Sequence, residues 1–499
     1  MLLKELPSSP QSARPVRLKK REMPPGWWVL CAIPNGIFED PQEWAAGHMG
    51  EAALGDVRRT ARLEKLCAAW ACRPGLSIAK LFDRSYDVTA AYALLSHPEV
   101  TPDALQEGHR AMTWEALQPA GVYLLAEDTT TLSWLRAAEI PGLGPVSTQT
   151  SRRQGFLLHS VLAMRWVGAA AAGTRRPAVE ILGLADQQVH VRSREKARDA
   201  EKESAFWTQA TARIGTPTAE ARWVRVCDRE ADIYVFLRDL QQQGYGFVVR
   251  AAQDRLLVDA DGQPVAPKLL EQVRLSPSLG GFALEVQLAD KQRRVAQLQL
   301  STTAVQIQAP KKLREQRGGA KQYLPLSIPV VRVWEPQPPA GVEALVWILL
   351  CDQAEATFAG ALLCVQQYAA RWLVEEFHKA LKTGTRAEEL QLESGHALMN
   401  AVAVKSMIAT RLLHLKEMVR LYPDAPASAS GLDELELSIL EDRFERRLPT
   451  VKLVMWAIAR LGGYFGTPGT KQQPGWYTLT GGLERLLDLA CGARLNLRK

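Results

Sequence analysis

The chain has 499 residues, of which 47% are apolar, and its 61 Lys and Arg against 54 Asp and Glu give a net charge of +7. That length allows two to four packed domains, and the mildly basic balance suits a polyanion partner without proving one. Seven cysteines, odd in number and with no C-x-x-C pair, argue against a disulfide framework or zinc site and for a reducing cytoplasm, and no apolar run approaches the roughly 18 residues of a membrane span.

Residues 1–40 read as a flexible basic leader. The knot Arg17-Leu-Lys-Lys-Arg21 suits either DNA phosphates or a solvated tail, and the apolar segment Trp27–Ile33 is too short for a span and lacks a secretory cleavage site. Residues 41–118 have Ala, Leu and Arg at helical spacing, with breaks at Pro74-Gly75, His97-Pro98 and Pro102, so a small all-helical unit is expected. Within it, Arg58 and Arg62 are four residues apart and share a helix face, with Arg59 beside them. Spacing alone fits an ordinary charged surface as well as a DNA contact.

Residues 119–250 change to short apolar runs: Val122–Ala126, Leu157–Met164, Val179–Leu184, Trp223–Cys227 and Phe247–Val249. Helical stretches Lys202–Ile214 and Ile233–Gln243 flank the fourth run, which predicts a mixed α/β sheet. Residues 251–346 alternate apolar and polar side chains, as in Phe282, Leu284, Val286 and Leu288, and form a β-rich insertion. It contains a basic loop, Lys311–Lys321, expected to be mobile. After a strand at Trp347–Cys351, a long helix is expected from about Ala359 to Lys382. Residues 397–422 and 431–463 are largely helical, and a last helix lies near Leu483–Leu489. The chain therefore divides into a leader (1–40), a helical unit (41–118), an α/β core (119–396) interrupted by the insertion, and a helical region (397–499).

Two apolar runs end in acid. Val122–Ala126 leads into Glu127-Asp128, and Trp223–Cys227 leads into Asp228. Ligands of α/β folds commonly bind at strand ends, where a buried carboxylate costs several kcal/mol unless it is paired or binds metal. Asp also caps helices and starts turns, so the position alone is a weak signal. Cys227 should point away from Asp228 into the core. On a uniform helix, Tyr368, Arg371, Glu375, Lys379 and Lys382 fall within a stripe of roughly 80°, spanning about 21 Å, while Leu373, Val374, Phe377 and Leu381 face the other way. Such a face is usually a solvated set of ion pairs. One acid among several cations and a tyrosine also suits a phosphodiester beside a metal-bound carboxylate.

Tyr368-Ala-Ala-Arg371-Trp-Leu-Val-Glu375-Glu-Phe-His-Lys379-Ala-Leu-Lys382 matches the spacing Y-x2-R-x3-E-x6-K. It resembles the signature of bacterial insertion-sequence family four, the cut-and-paste transposases that include the Tn-five type. Ala126–Thr130, Val226–Ile233, Ala53–Arg62 and Trp456–Gly463 resemble other parts of that family in the expected order, so the likeness covers about residues 41–499. The resemblance implies a ribonuclease-H-like core with a β-rich insertion, flanked by an N-terminal helical domain that binds transposon ends and a C-terminal helical dimerisation region. It implies that Asp128, Asp228 and Glu375 hold two Mg²⁺ ions, for which Mn²⁺ substitutes. It further implies nicking, hairpin formation and resolution, and strand transfer into target DNA by a DNA-bridged homodimer associated with the nucleoid. Tyr368, Arg371, Lys379, Lys382 and Arg250 then hold phosphates, Arg58, Arg59 and Arg62 grip the DNA end, and Trp347 stacks a flipped base. His159 and His378 are expected to be packed or phosphate-side residues rather than metal ligands. The rival readings are a metal nuclease or resolvase without strand transfer, and a catalytically silent DNA-binding regulator or inhibitor of a related transposase.

Overall fold

A computed structural model describes residues 40–135, 139–146, 153–169, 176–192, 203–287, 293–316, 318–468 and 473–497. The leader, including its basic knot, lies outside the described residues. The twelve strands in chain order are β1 (Gly121–Leu135), β2 (Gly144–Pro145), β3 (Arg153–Gly168), β4 (Ala178–His190), β5 (Ala221–Cys227), β6 (Gly246–Arg250), β7 (Leu257–Val258), β8 (Pro264–Val265), β9 (Gly280–Gln287), β10 (Arg293–Ile307), β11 (Leu326–Trp334) and β12 (Val346–Cys351). They form one mixed sheet in the order β2-β3-β1-β5-β6-β12-β11-β10-β7-β8, with β4 paired to β3 and β9 to β10. The β1, β5 and β6 pairings are parallel. Helices Phe206–Ile214 and Tyr234–Gln242 precede β5 and β6 and supply the crossovers that parallel neighbours require.

The order of elements over 119–250 is the one read from the sequence, but the strands run longer. β1 continues to Leu135, so Asp128 lies inside a strand rather than at its end. What ends near Asp128 is the pairing with β5, which stops at Glu127↔Cys227. The β-rich segment 251–346 does not build a separate sheet. β12 pairs with both β6 and β11, so the insertion's strands extend the central sheet. The loop expected to be mobile includes two short helical turns, Lys311–Arg314 and Gly319–Gln322.

Alternation along the strands separates two cores. Leu124, Ala126, Val224, Val226 and Val248 face one side and pack with the helix Gly395–Leu421. Tyr123, Leu125, Trp223, Cys227, Phe247 and Val249 face the other and pack with Phe206–Ile214 and Tyr234–Gln242. Each fully buried large apolar side chain contributes about 1.5–3 kcal/mol. Gly395–Leu421 is buried along most of its length, and its N-terminus is capped by the Ser394 hydroxyl, which accepts from the Ala397 N–H. The N-terminal helices Val57–Cys72, Ser85–Ser96 and Pro102–Ala116 pack on it, and Asn400 Nδ2 donates to the carbonyls of Leu95 and Val100. The last helix runs from Trp476 to Leu497, longer than the expected 483–489. Gly482 lets it approach Val451–Leu461 so closely that a Cβ there would meet the Ile458 carbonyl at 1.8 Å.

The expected helix 359–382 is interrupted twice. The helix Phe358–Ala369 is capped by Thr357 and gives way to a tight turn: Arg371, Leu373 and Val374 donate to the carbonyls of Tyr368, Ala370 and Arg371, three residues back. Trp372–Lys379 is then regular, and Ala380–Gly384 widens into a π-helical turn closed by Thr385 N donating to Ala380 O. The uniform stripe read from the sequence is therefore corrected, because tight bonds overwind and π bonds underwind the angular progression on which it rested.

Candidate active site

The parallel register sets the first two acids. Glu127 pairs with Cys227, so the next residues, Asp128 and Asp228, stand side by side where the β1–β5 pairing ends. Alternation points both toward the face that carries Ala126 and Val226, against which Trp372–Lys379 packs through Val374 and Phe377. That helix brings Arg371 and Glu375 to the same place. Arg371 forms an ion pair with Glu375 and its Nη1 lies 3.7 Å from Asp128 Oδ2, so one guanidinium bridges two acids. His378 Nδ1 lies 3.9 Å from the same Asp128 oxygen, while its Nε2 is buried without a partner among the described residues.

The acids are held differently. Asp128 Oδ1 accepts from the Thr129 N–H, and Asp228 Oδ1 accepts from the Glu230 N–H at the head of a short 3₁₀ turn. Burial, with Arg371 opposing it and the Asp228 and Glu375 carboxylates adding to it, pushes the Asp128 carboxyl up to about 7. Burial also lowers His378 to about 3, aided by Lys382 and Arg371, so its ring is neutral at physiological pH. For Arg371, burial works against the charge, but Tyr368 and the three acids outweigh it and the pKa is raised.

Oxygen-only donors suit Mg²⁺ or Mn²⁺, and the burial that lifts Asp128, with a smaller repulsion from Asp228 and Glu375, is the penalty a divalent ion offsets. The ligands are not pre-gathered: among the described residues no three His, Cys, Asp or Glu side chains lie close enough to hold an ion. The positive charge between Asp128 and Glu375 is instead the Arg371 guanidinium.

The other candidates scatter around this centre. Tyr368 is only 8% exposed and packs on Trp347 with ring centroids 6.0 Å apart, so both rings are engaged with each other. Arg250 closes β6 and donates to the Val346 carbonyl, one residue from Trp347. Lys379 turns to Glu376 and lies 3.7 Å over the Trp372 ring, away from Asp128. Lys382 sits in the π-helical turn, where burial lowers its pKa. In the N-terminal unit, the Arg58 side chain is 79% exposed and paired with the helix-capping Asp56. Arg59 is 19% exposed and donates to Leu54 O and Glu99 with its Nη2 against His97, which makes it a strut of its own domain. Arg62 is half-buried.

Sequence reasoning missed a second polar group directly beneath the aspartates. Glu127 and Arg225 are fully buried and paired, and His159 is fully buried against Glu127, Phe206 and Trp207. The signal was present as Arg225 inside the apolar run Trp223–Cys227 and as Glu127 closing the run before Asp128. Cys227 lies in the core as expected, with its thiol 3.6 Å from Glu127.

The site thus belongs to a mixed α/β protein with carboxylates converging at one face of a large sheet, beside an N-terminal helical unit. Residues 41–100 of that unit match the family of transposase DNA-binding domains. The match supports a transposase with DNA as its partner, and Arg58, Arg59 and Arg62 lie within it. Among the described residues no helix is long and apolar enough to cross a membrane.

Proposed function

We propose that the chain is a cut-and-paste DNA transposase of insertion-sequence family four, with a ribonuclease-H-like core in which Asp128, Asp228 and Glu375 form the catalytic triad. The observation that carries this reading is the convergence of Asp128 and Asp228, side by side where the parallel β1–β5 pairing ends, with Glu375 reached through the Arg371 bridge. It stands in a chain whose residues 41–100 match transposase DNA-binding domains. Two divalent ions held by the triad would supply a water or 3′-hydroxyl of lowered pKa and a stabilised leaving oxygen.

The chain's own residues do the rest. Arg371 leaves the acids for a DNA phosphate, which frees Asp128 and Glu375 as ligands. Lys382 and Arg250 hold further phosphates, and Tyr368 joins them once it separates from Trp347. Trp347 then stacks an unpaired base, an interaction worth about 1–3 kcal/mol. The reaction runs through end nicking, attack of the freed 3′-hydroxyl to form a hairpin, hairpin opening by water, and joining to target DNA by a homodimer.

The test uses a DNA end bearing the inverted repeat that flanks the gene, incubated with the full chain in Mg²⁺ or EDTA. Nicks and hairpins in Mg²⁺ alone are expected. Binding without cutting in Mg²⁺ would replace this reading with the DNA-binding regulator, and cutting without joined products would replace it with a nuclease.

A further inference from the structure

Asp128 is the one acid of the three whose two chain neighbours are tied to the same side chain. His159 stands opposite Thr129 on the antiparallel strand β3. Its Nε2 lies 2.8 Å from Glu127 Oε1, and its Nδ1 lies 2.8 Å from Thr129 Oγ1. A carboxylate cannot donate, so Nε2 carries a proton toward Glu127, and in the neutral ring Nδ1 accepts from the Thr129 hydroxyl. One imidazole thereby spans residues 127 and 129 on the face of β1 opposite to Asp128. The ring is wedged in the core: it stacks on Phe206 with centroids 5.2 Å apart and lies tilted against Trp207 at 4.1 Å.

The brace extends to the strand that carries the second acid. Arg225 on β5 donates from Nε to Glu127 Oε2 at 3.0 Å and pairs with it through Nη2 as well. Glu127 therefore ties β3 and β5 to β1 from both sides, one residue before Asp128, and Cys227, one residue before Asp228, also reaches it. A buried ion pair of this kind is often no more stabilising than apolar side chains of equal volume, and its best-attested use is to fix one arrangement. The three side chains of the brace are fully buried, so they have no access to substrate.

We infer that His159, Glu127 and Arg225 form a positioning clamp that sets the direction of the Asp128 carboxylate, and its spacing from Asp228, for a divalent cation. The inference rests on the metal-triad reading above. These are positioning residues, not catalytic ones, because none touches a reacting atom.

The test is calorimetric binding of Mn²⁺ to the full chain saturated with inverted-repeat end DNA whose scissile linkage is an uncleavable analogue, so that Arg371 has left the acids, with thermal unfolding run in parallel. Wild type is compared with Thr129→Val, His159→Phe and His159→Gln. Loss of an outer-shell partner typically weakens metal binding roughly 10–100-fold. We expect that loss for His159→Phe and a loss near the lower end for Thr129→Val, with the Thr129→Val melting point close to wild type. His159→Gln recovers much of the affinity, because its amide nitrogen donates to Glu127 and its oxygen accepts from Thr129. The Mg²⁺ concentration for half-maximal cleavage shifts in parallel, whereas a purely structural role lowers cleavage at every Mg²⁺ concentration alike. If Thr129→Val and His159→Phe bind Mn²⁺ as tightly as wild type, the clamp is wrong. Should His159→Phe fail to fold, Thr129→Val decides alone. A folded, DNA-bound wild type that binds no more Mn²⁺ than the DNA alone overturns the metal reading, and the clamp with it.

Discussion

Lys405 is the most exacting place to test the packing described above. It is fully buried in the middle of Gly395–Leu421, where Nζ donates to Pro74 O at 2.9 Å and Thr385 O at 2.5 Å and lies 4.6 Å over the Trp70 ring. It thus joins the N-terminal helical unit to the turn that follows Lys382. Burial lowers its pKa from 10.5 to about 7, with Glu484 opposing and Arg386 adding to the fall. Between those values the unfolded chain holds a proton that the folded chain has released, so stability rises as pH goes from 7 to 10.5 and is flat below 7. At 1.36 kcal/mol per pKa unit, the ceiling on that rise is about 5 kcal/mol. Lys405→Met removes the titration and leaves two carbonyls unsatisfied, at about 1–3 kcal/mol each. The variant is therefore expected to be less stable than wild type at pH 10 and to close the gap as pH falls to 7. The assay is thermal unfolding of both proteins at half-unit steps from pH 6 to 10.5, read as their difference so that other titrating groups cancel. A difference that does not change with pH would refute a neutralised Lys405 at this position.

Four further outcomes follow, two from the site and two from the N-terminal unit. Asp128→Asn should abolish cleavage yet raise stability at pH 8 by about 1–3 kcal/mol, because a carboxyl lifted to about 7, chiefly by burial, destabilises the folded chain at every pH above that value; a lower melting point would count against a penalised Asp128 carboxylate. Trp347→Ala should nick normally and accumulate unresolved nicked ends, and an unchanged hairpin yield in a gel assay would reject the stacking role. Arg58→Ala should weaken end binding and reduce the slope of log affinity against log salt by about 1 with little change in stability. Arg59→Ala should instead lower the melting point through loss of its bonds to Leu54, Glu99 and His97; equal melting points for the two variants would contradict this division.

Local patterning made the α/β alternation legible, because apolar runs and helical spacing are properties of neighbouring residues. It also put Asp128 and Asp228 at the ends of apolar runs, which holds for Asp228, just past β5, while Asp128 lies inside the longer β1. What it could not supply was the register of β1 against β5, which depends on two strands about 100 residues apart and which brings the two acids together. The helix of Glu375 was readable as a helix but not as a broken one. Nothing in Tyr368–Lys382 contains proline or glycine, and the tight turn at Arg371 and the π turn at Ala380 arise where Leu373, Val374, Phe377 and Leu381 seat into the core. That packing explains why Tyr368 lies against Trp347, whereas Lys379, still on the regular turns with Glu375, directs its ammonium to Glu376 and the Trp372 ring. The Glu127–Arg225–His159 group escaped notice as a unit for a related reason: its members come from three strands, and their meeting depends on register.

The central claim is that Asp128, Asp228 and Glu375 act as one cleaving centre on DNA held by the N-terminal unit. The most direct measurement is cleavage of the flanking inverted-repeat end in Mg²⁺ by Asp128→Ala, Asp228→Ala and Glu375→Ala, with end binding followed by gel shift. Each variant should bind the end nearly as wild type does and yield neither nick nor hairpin. Cutting retained by any one of the three would contradict the account.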